Sequence, residues 1–178
     1  MRIGIFSDTH NKLAGIDQAF AIFARDQVAV AIHCGDWTAP DTLAYVGDAA
    51  GRYDIAVKGV LGNNDRDVSG FVLAARGLDL LDISEGVLEL EIGGRQIAAY
   101  HGHHAPTLRR LLADGPELLL LGHSHKPRFD KLAADGKVRI ILNPGSTAFS
   151  IPRRKGWHGS VAVYDTEKHD AKFIYFEG

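Results

Sequence analysis

Short apolar runs alternate with segments of helical spacing through the first third of the chain. Ile3 to Phe6 predicts a strand, and Leu13, Ile16, Phe20 and Phe23 then recur at the spacing of an amphipathic helix. Val28 to Ile32 predicts a second strand, Pro40-Asp41 marks the start of a second helix, and Ile55 to Leu61 predicts a third strand. Strand–helix alternation of this kind argues for a parallel sheet with right-handed crossovers. The second half changes period. Leu88, Leu90 and Ile92 alternate with Glu89 and Glu91, and Gly93-Gly94 supplies a two-residue hairpin turn before a strand that returns as far as His101. Pro106 falls in the first turn of a short helix, and Leu118 to Leu121 predicts a buried strand. Asp135-Gly136 turns another hairpin, with Val138, Ile140 and Leu142 on one face of its second strand, and residues 161–176 predict a closing hairpin. With no repeat, low-complexity segment or linker, residues 1–178 read as one α/β domain.

The residues that follow these runs are of a restricted kind. Asp8-Thr9-His10 follows the first, Gly35-Asp36 the second and Gly62-Asn63-Asn64-Asp65 the third. His101-Gly102-His103, Gly122-His123-Ser124-His125 and Asn143 follow the later ones. Residues two apart in an extended chain point the same way, so Asp8/His10 and His123/His125 can each offer two side chains to one space. Loops beyond the carboxyl ends of strands in open α/β sheets converge, which brings distant segments together. Five of the nine histidines lie in these segments and His104 follows one directly, where surface histidines would scatter. Alone, Asp8 or Asp36 would read as a helix cap or turn former, and each glycine as a tight turn. Their recurrence is what points to a polynuclear metal site.

Composition adds exclusions. A chain of 178 residues, 46% hydrophobic and 24% charged, is long enough for one substantial core. A formal net charge of -2, with no basic stripe interleaved with aromatics, argues against an extended nucleic-acid surface. Cys34 is the sole cysteine, so an intrachain disulfide is excluded and a reducing compartment fits. Met1 to Asp8 turns polar too soon for a signal peptide, and no apolar stretch approaches the roughly 20 residues of a membrane span. The expected compartment is the cytoplasm, with no membrane partner. Self-association into a homo-oligomer is compatible with everything in the sequence.

The donor chemistry narrows the metal. Two carboxylates (Asp8, Asp36), one amide oxygen (Asn63) and four imidazoles (His10, His101, His123, His125) suit a borderline divalent ion: Mn, Fe, Co, Ni or Zn. An all-oxygen set would suit Mg or Ca better, and thiolates a structural Zn. Seven donors are too many for one tetrahedral ion and fit two that share a carboxylate. Two such ions carry four positive charges, of which Asp8 and Asp36 neutralise two. The excess attracts phosphate and acidifies a bridging water, and two metals about 3.5–4 Å apart can stabilise both oxygens of an in-line displacement.

In order along the chain, Asp8-x-His10, Gly35-Asp36, Gly62-Asn63-x-Asp65, His101-Gly102 and Gly122-His123-x-His125 resemble the five motifs of the calcineurin-like metallophosphoesterases. The short length, Asn143-Pro144-Gly145-Ser146 and Pro152-Arg153 resemble the small bacterial and archaeal phosphodiesterase branch. The resemblance implies a four-layer α/β/β/α sandwich, two mixed sheets face to face with helices outside. It implies one metal held by Asp8, His10, Asp36 and His125, and a second by Asp36, Asn63, His101 and His123, with Asp36 as the bridge. The implied activity is that of a phosphoesterase, a phosphodiesterase before all, hydrolysing a small phosphate ester by in-line attack of a metal-bridging hydroxide. Manganese is the favoured ion. Asp36 and Asn63 would then serve catalysis as well as metal binding.

Many members carry histidine after the Gly-Asn pair, whereas Asn64 stands here. An amide donates a hydrogen bond but no proton at neutral pH. Asn64 and Arg153 are therefore expected on phosphate oxygens, and His103, or its neighbour His104, as proton donor to the leaving group, unless metal activation suffices. Asp65 either orients a ligand from behind or caps the next segment; Arg66, Arg154 and Lys155 read as solvated basic loop, and His33 and Cys34 as core. The alternative is a non-catalytic protein-interaction scaffold, since retromer's phosphoesterase-like subunit is similar to this branch. A scaffold is free to lose ligands. All seven are present, which favours an enzyme.

Overall fold

The structure, a computed structural model, describes residues 1–134, 137–148 and 157–177. Strand β1 (Arg2–Phe6), helix α1 (Leu13–Arg25), strand β2 (Val30–His33), helix α2 (Pro40–Tyr53) and strand β3 (Ala56–Val60) follow the expected alternation. β2 begins later than Val28 because the Val28 N–H closes back on the Phe23 carbonyl (2.9 Å) at the end of α1. Pro40 sits in the first turn of α2, where a missing N–H costs nothing. Helix α3 (Val68–Ala75) and strand β4 (Leu81–Ser84) have no counterpart in the sequence reading. The helix reads VSGFVLAA, apolar at almost every position, so no 3.6-residue stripe betrays it; Asp67 caps it by accepting from the Gly70 N–H at 3.0 Å.

Strands β5 (Leu88–Ile92) and β6 (Arg95–Tyr100) form the expected hairpin. Its turn residues Gly93 and Gly94 both have positive φ, +59° and +72°, which a two-residue turn of matching twist requires. Helix α4 (Ala105–Asp114) and strand β7 (Leu118–Leu121) follow. β8 (Arg128–Ala134) and β9 (Lys137–Asn143) pair antiparallel, as do β10 (Trp157–Asp165) and β11 (Asp170–Glu177). The expected turn residues Asp135-Gly136 lie outside the described residues. Ile140 and Leu142 are buried as anticipated, but Val138 is 52% exposed. Pairing with β7 begins only at Ile140, so Val138 lies past the end of that strand.

Two mixed sheets result, a six-stranded one ordered β11-β10-β1-β2-β3-β4 and a five-stranded one ordered β5-β6-β7-β9-β8. β1 to β4 run parallel, as do β6, β7 and β9. The period of two along each strand gives every sheet two apolar faces. Ile3, Ile5, Ile32 and Val60 meet Ile97, Leu118, Leu120, Ile140 and Leu142 between the sheets. On its other face the first sheet packs Phe6, Ala31 and Val57 against Ile16, Phe20, Phe23, Leu43, Val46 and Phe71 of α1 to α3. The outer face of the second sheet buries Ala98, Tyr100, Leu119, Leu121 and Ile141 against α4, chiefly through Leu111. The four-layer sandwich is thus observed. Among the described residues no helix is long and apolar enough to cross a membrane.

Candidate metal centre

The parallel strands of both sheets end at the same edge of the sandwich, and the motif residues gather there. Asp8 and His10 follow β1, Asp36 follows β2, Asn63 follows β3, His101 follows β6, and His123 and His125 follow β7. The turns are tied to one another by backbone: Asp8 N–H donates to the Gly35 carbonyl (2.9 Å), His10 N–H to that of Asp36 (3.2 Å), and Gly122 N–H to that of His101 (3.1 Å). Asp8, His10, Asp36, His123 and His125 all adopt left-handed backbone, with φ between +42° and +66°. Such conformations cost energy in residues with a Cβ and persist where surrounding structure enforces them, characteristically at functional sites. Two glycines are demanded by close approach. A side chain at Gly62 would collide with the Asp36 carboxylate, and one at Gly122 with Ser7 Oγ and the Cys34 carbonyl.

Donor atoms of Asp8, His10 and His125 lie within 4.8 Å of one another, and so do those of Asp8, Asp36 and His101. Asp36 faces both groups: Oδ2 is 3.7 Å from His10 Nε2, and Oδ1 is 3.3 Å from His101 Nε2. His125 Nε2 lies 3.1 Å from Asp8 Oδ1 and 3.4 Å from His10 Nε2. Asn63 Oδ1 is 3.1 Å from His101 Nε2. His123 joins from the rim, its exposed ring centred 5.1 Å from that of His101 and its N–H donating to Asp8 Oδ2 (3.2 Å).

Two observations fit cations in this space. Among the described residues nothing donates a hydrogen bond to the buried Asp8 Oδ1, a costly state for a carboxylate oxygen facing two imidazole nitrogens. His101 Nδ1 donates to the Cys34 carbonyl at 2.8 Å, so in the neutral ring Nε2 is a lone pair aimed at two oxygens. Only a proton or a metal satisfies it. Burial opposes charge on His101, but the hydrogen bond and negative charge of Asp36 outweigh it and raise its pKa, so that a proton competes with a metal for Nε2. Burial likewise opposes charge on Asp36, yet His101 and the Asn64 donors hold its carboxyl well below the usual carboxylate range. Metal binding would displace the His101 proton.

Around the donors, support is dense. Asp65 accepts from the N–H groups of Asp36 (3.0 Å), Thr38 (2.6 Å) and Gly62 (2.7 Å), pinning the second turn to the third. Asn64 is turned to Asp36: its N–H donates to Oδ1 (2.9 Å) and its side-chain amide to Oδ2 (2.7 Å). That is a grip on the carboxylate between the two groups. His103 is exposed, its ring 5.5 Å from those of His101 and Tyr100; burial, then the charges of His101 and His123, lower its pKa. Asn143, left open by sequence, donates to the Gly122 carbonyl (2.6 Å) and Ser124 Oγ (3.1 Å) and accepts from Gly145 N–H (2.9 Å), anchoring the loop that carries His123 and His125. Arg153, with Arg154 and Lys155, lies outside the described residues. Sequence reasoning missed Ser7, whose hydroxyl donates to Asp8 Oδ2 (2.6 Å), and Ser146, whose hydroxyl donates to the Asp8 carbonyl (2.8 Å).

A sandwich with oxygen and imidazole donors converging at its strand ends defines a phosphoesterase of the metal-dependent kind, and the comparisons agree. Residues 1–169 match the calcineurin-like phosphoesterase superfamily domain, and the chain belongs to that superfamily. A phosphodiesterase of Methanocaldococcus jannaschii is 26% identical over 99% of this chain and 100% of its own length. A solved archaeal phosphodiesterase superposes with a TM-score of 0.80 at 26% identity, covering 99% of this chain and 100% of that one. A phosphoesterase from E. coli shares the fold at a TM-score of 0.65 and 18% identity, over 98% of each chain.

Proposed function

We propose that this chain is a phosphodiesterase working with two divalent cations, manganese favoured, and that residues 1–178 act as one domain in the cytoplasm on a small phosphate ester. The observation that carries the reading is the buried Asp8 Oδ1, without a hydrogen bond among the described residues, in a space where His10, Asp36, His101 and His125 converge. The full-length match to a phosphodiesterase supports it. Asp8, His10, Asp36 and His125 are assigned to one cation, and Asp36, Asn63, His101 and His123 to the other. When bound, the cations supply Lewis acidity and polarise water and the phosphate oxygens.

The chain's own residues do the rest. Asp36 spans the two groups, and Asn64 and Asp65 hold its carboxylate and backbone in place. Asn64, beside Asp36, and Arg153 are assigned to phosphate oxygens, with Asn63 helping to polarise them. His103, whose ring lies 5.5 Å from that of His101, is assigned the proton for a leaving alkoxide. A completed donor set favours this enzyme over a scaffold for protein partners.

Metal-depleted protein reloaded singly with Mn, Fe, Co, Ni or Zn, and assayed on aryl phosphomonoesters and diesters, tests the proposal. Turnover should return with a preference for diesters. No turnover with any ion, together with a stoichiometric protein partner in a pull-down, would replace it by the scaffold reading.

A further inference from the structure

His33, the last residue of β2, is no donor in the centre, yet it lies behind three of its loops. Its ring is fully buried on the helix side of the first sheet, stacked on Trp37 (3.6 Å between centroids, 22° between planes) and edge-on to Phe6 (4.6 Å, 89°). Such surroundings would suit phenylalanine as well, so the two ring nitrogens need partners. The Gly35 N–H lies 3.1 Å from Nδ1. An amide can only donate, so Nδ1 accepts and the ring proton sits on Nε2. Nε2–H then donates to Thr9 Oγ1 (3.3 Å), leaving that hydroxyl's proton for the Asp36 carbonyl (3.4 Å). One directed chain of hydrogen bonds therefore runs from Gly35 through His33 and Thr9 to Asp36. Thr9 stands between Asp8 and His10, and Gly35 directly before Asp36. The stack carries the tie further, because Trp37 Nε1 donates to the carbonyl of Val60 (2.9 Å), just ahead of Gly62-Asn63.

We infer that His33 is a positioning residue: through its Nε2–H tautomer it sets the spacing between the Asp8–His10 turn and Asp36, and thereby cation affinity, without touching a cation. The inference rests on the two-metal reading of the site. Burial, and then the charge of His101, push the His33 pKa well below the usual imidazole value, which keeps its acceptor and donor ends distinct.

Calorimetric titration of metal-depleted protein with Mn2+ alone, read beside thermal unfolding of the same samples, tests this without turnover. His33→Phe keeps the stack and removes both hydrogen bonds; Thr9→Val keeps the shape and removes the hydroxyl. Each should weaken Mn2+ binding about tenfold, the low end of what outer partners of metal ligands contribute. The double variant should bind no worse than either single one, because the chain is broken only once. Thr9→Ser restores a hydroxyl and should recover wild-type affinity. Single variants that bind Mn2+ within about twofold of wild type, or losses that add in the double variant, would reduce His33 to packing and overturn the inference. If His33→Phe does not fold, Thr9→Val against Thr9→Ser decides by the same criterion. A wild-type chain that binds two Mn2+ yet hydrolyses no diester would sink the proposed function and leave this result standing; one that binds no cation sinks both.

Discussion

Among the described residues the first sheet lies under three helices and delivers Asp8, His10, Asp36 and Asn63 to the centre, whereas the second lies under α4 alone and delivers imidazoles, His101, His123 and His125. The difference follows from the cost of burying charge. A carboxylate out of water needs fixed donors around it, while a neutral imidazole can sit at a wetter rim. Asp8 and Asp36 are accordingly almost wholly buried and held by Ser7, His123 N–H and Asn64; of the second sheet's imidazoles His101 is buried against Asp36, while His123 is exposed. Anionic donors stand where packing is heaviest, and the lighter half closes over them.

The sharpest way to break this contrast is Asp36→Ala. It removes the group facing both clusters, so metal analysis should find both sites impaired, with affinity down more than the roughly 100-fold that outer partners alone can cost. Hydrolysis of an aryl diester should vanish with it; a variant that keeps two ions would show that the first sheet does not hold the bridge. Next comes packing. Phe20→Ala, in the larger core, should cost about 3–5 kcal/mol and Leu111→Ala, under α4, about 2–3 kcal/mol by denaturant unfolding. Equal losses would erase the difference in cover. Asn143→Ala should be milder, about 1–3 kcal/mol for the buried groups it leaves unpaired, with weakened binding only of the cation or cations held by His123 and His125. Retained affinity would mean the second sheet needs no anchor there.

The smallest expected effect is in pH. Burial lowers the pKa of His33 and His10 on the first sheet, while on the second the Asp36 carboxylate overcomes burial to raise that of His101. An imidazole that resists protonation only when folded favours the unfolded chain as pH falls below its usual value of 6.5. His101 does the reverse, giving stability below its unfolded pKa that fades as pH rises through the raised folded value. Metal-free His33→Phe should therefore lose less stability than wild type on acidification from about pH 8 to 5. An acid slope as steep as that of wild type would place the proton uptake elsewhere.

What could be read from sequence divides along similar lines. The donors were legible because each follows an apolar run, and the chain order of those runs survives in the strands. α3 and β4 were not: an almost uniformly apolar eight-residue helix has no stripe, and the four-residue strand after it is too short to show alternation. His33 read correctly as core, but a core position says nothing about which ring nitrogen is satisfied by whom. The bond from Asn64 to Asp36 was not legible, because spacing gives neighbours along the chain and not the direction of an amide; it exists only once β2 and β3 lie side by side. The layering came from likeness to a family, since alternation alone fixes a parallel sheet and not the second sheet that faces it.

Asp8 sits near the beginning of the chain, yet Ser146 caps its carbonyl from 138 residues away, and β1 pairs with β10 on one side. A ribosome therefore exposes the carboxylate long before it makes the groups that fix it. Domains start to fold while still being synthesised, but here nascent chains carrying only the first sheet's parallel strands would lack a finished pocket. The pocket is complete only once Ser146 and β10 have closed on the first strand.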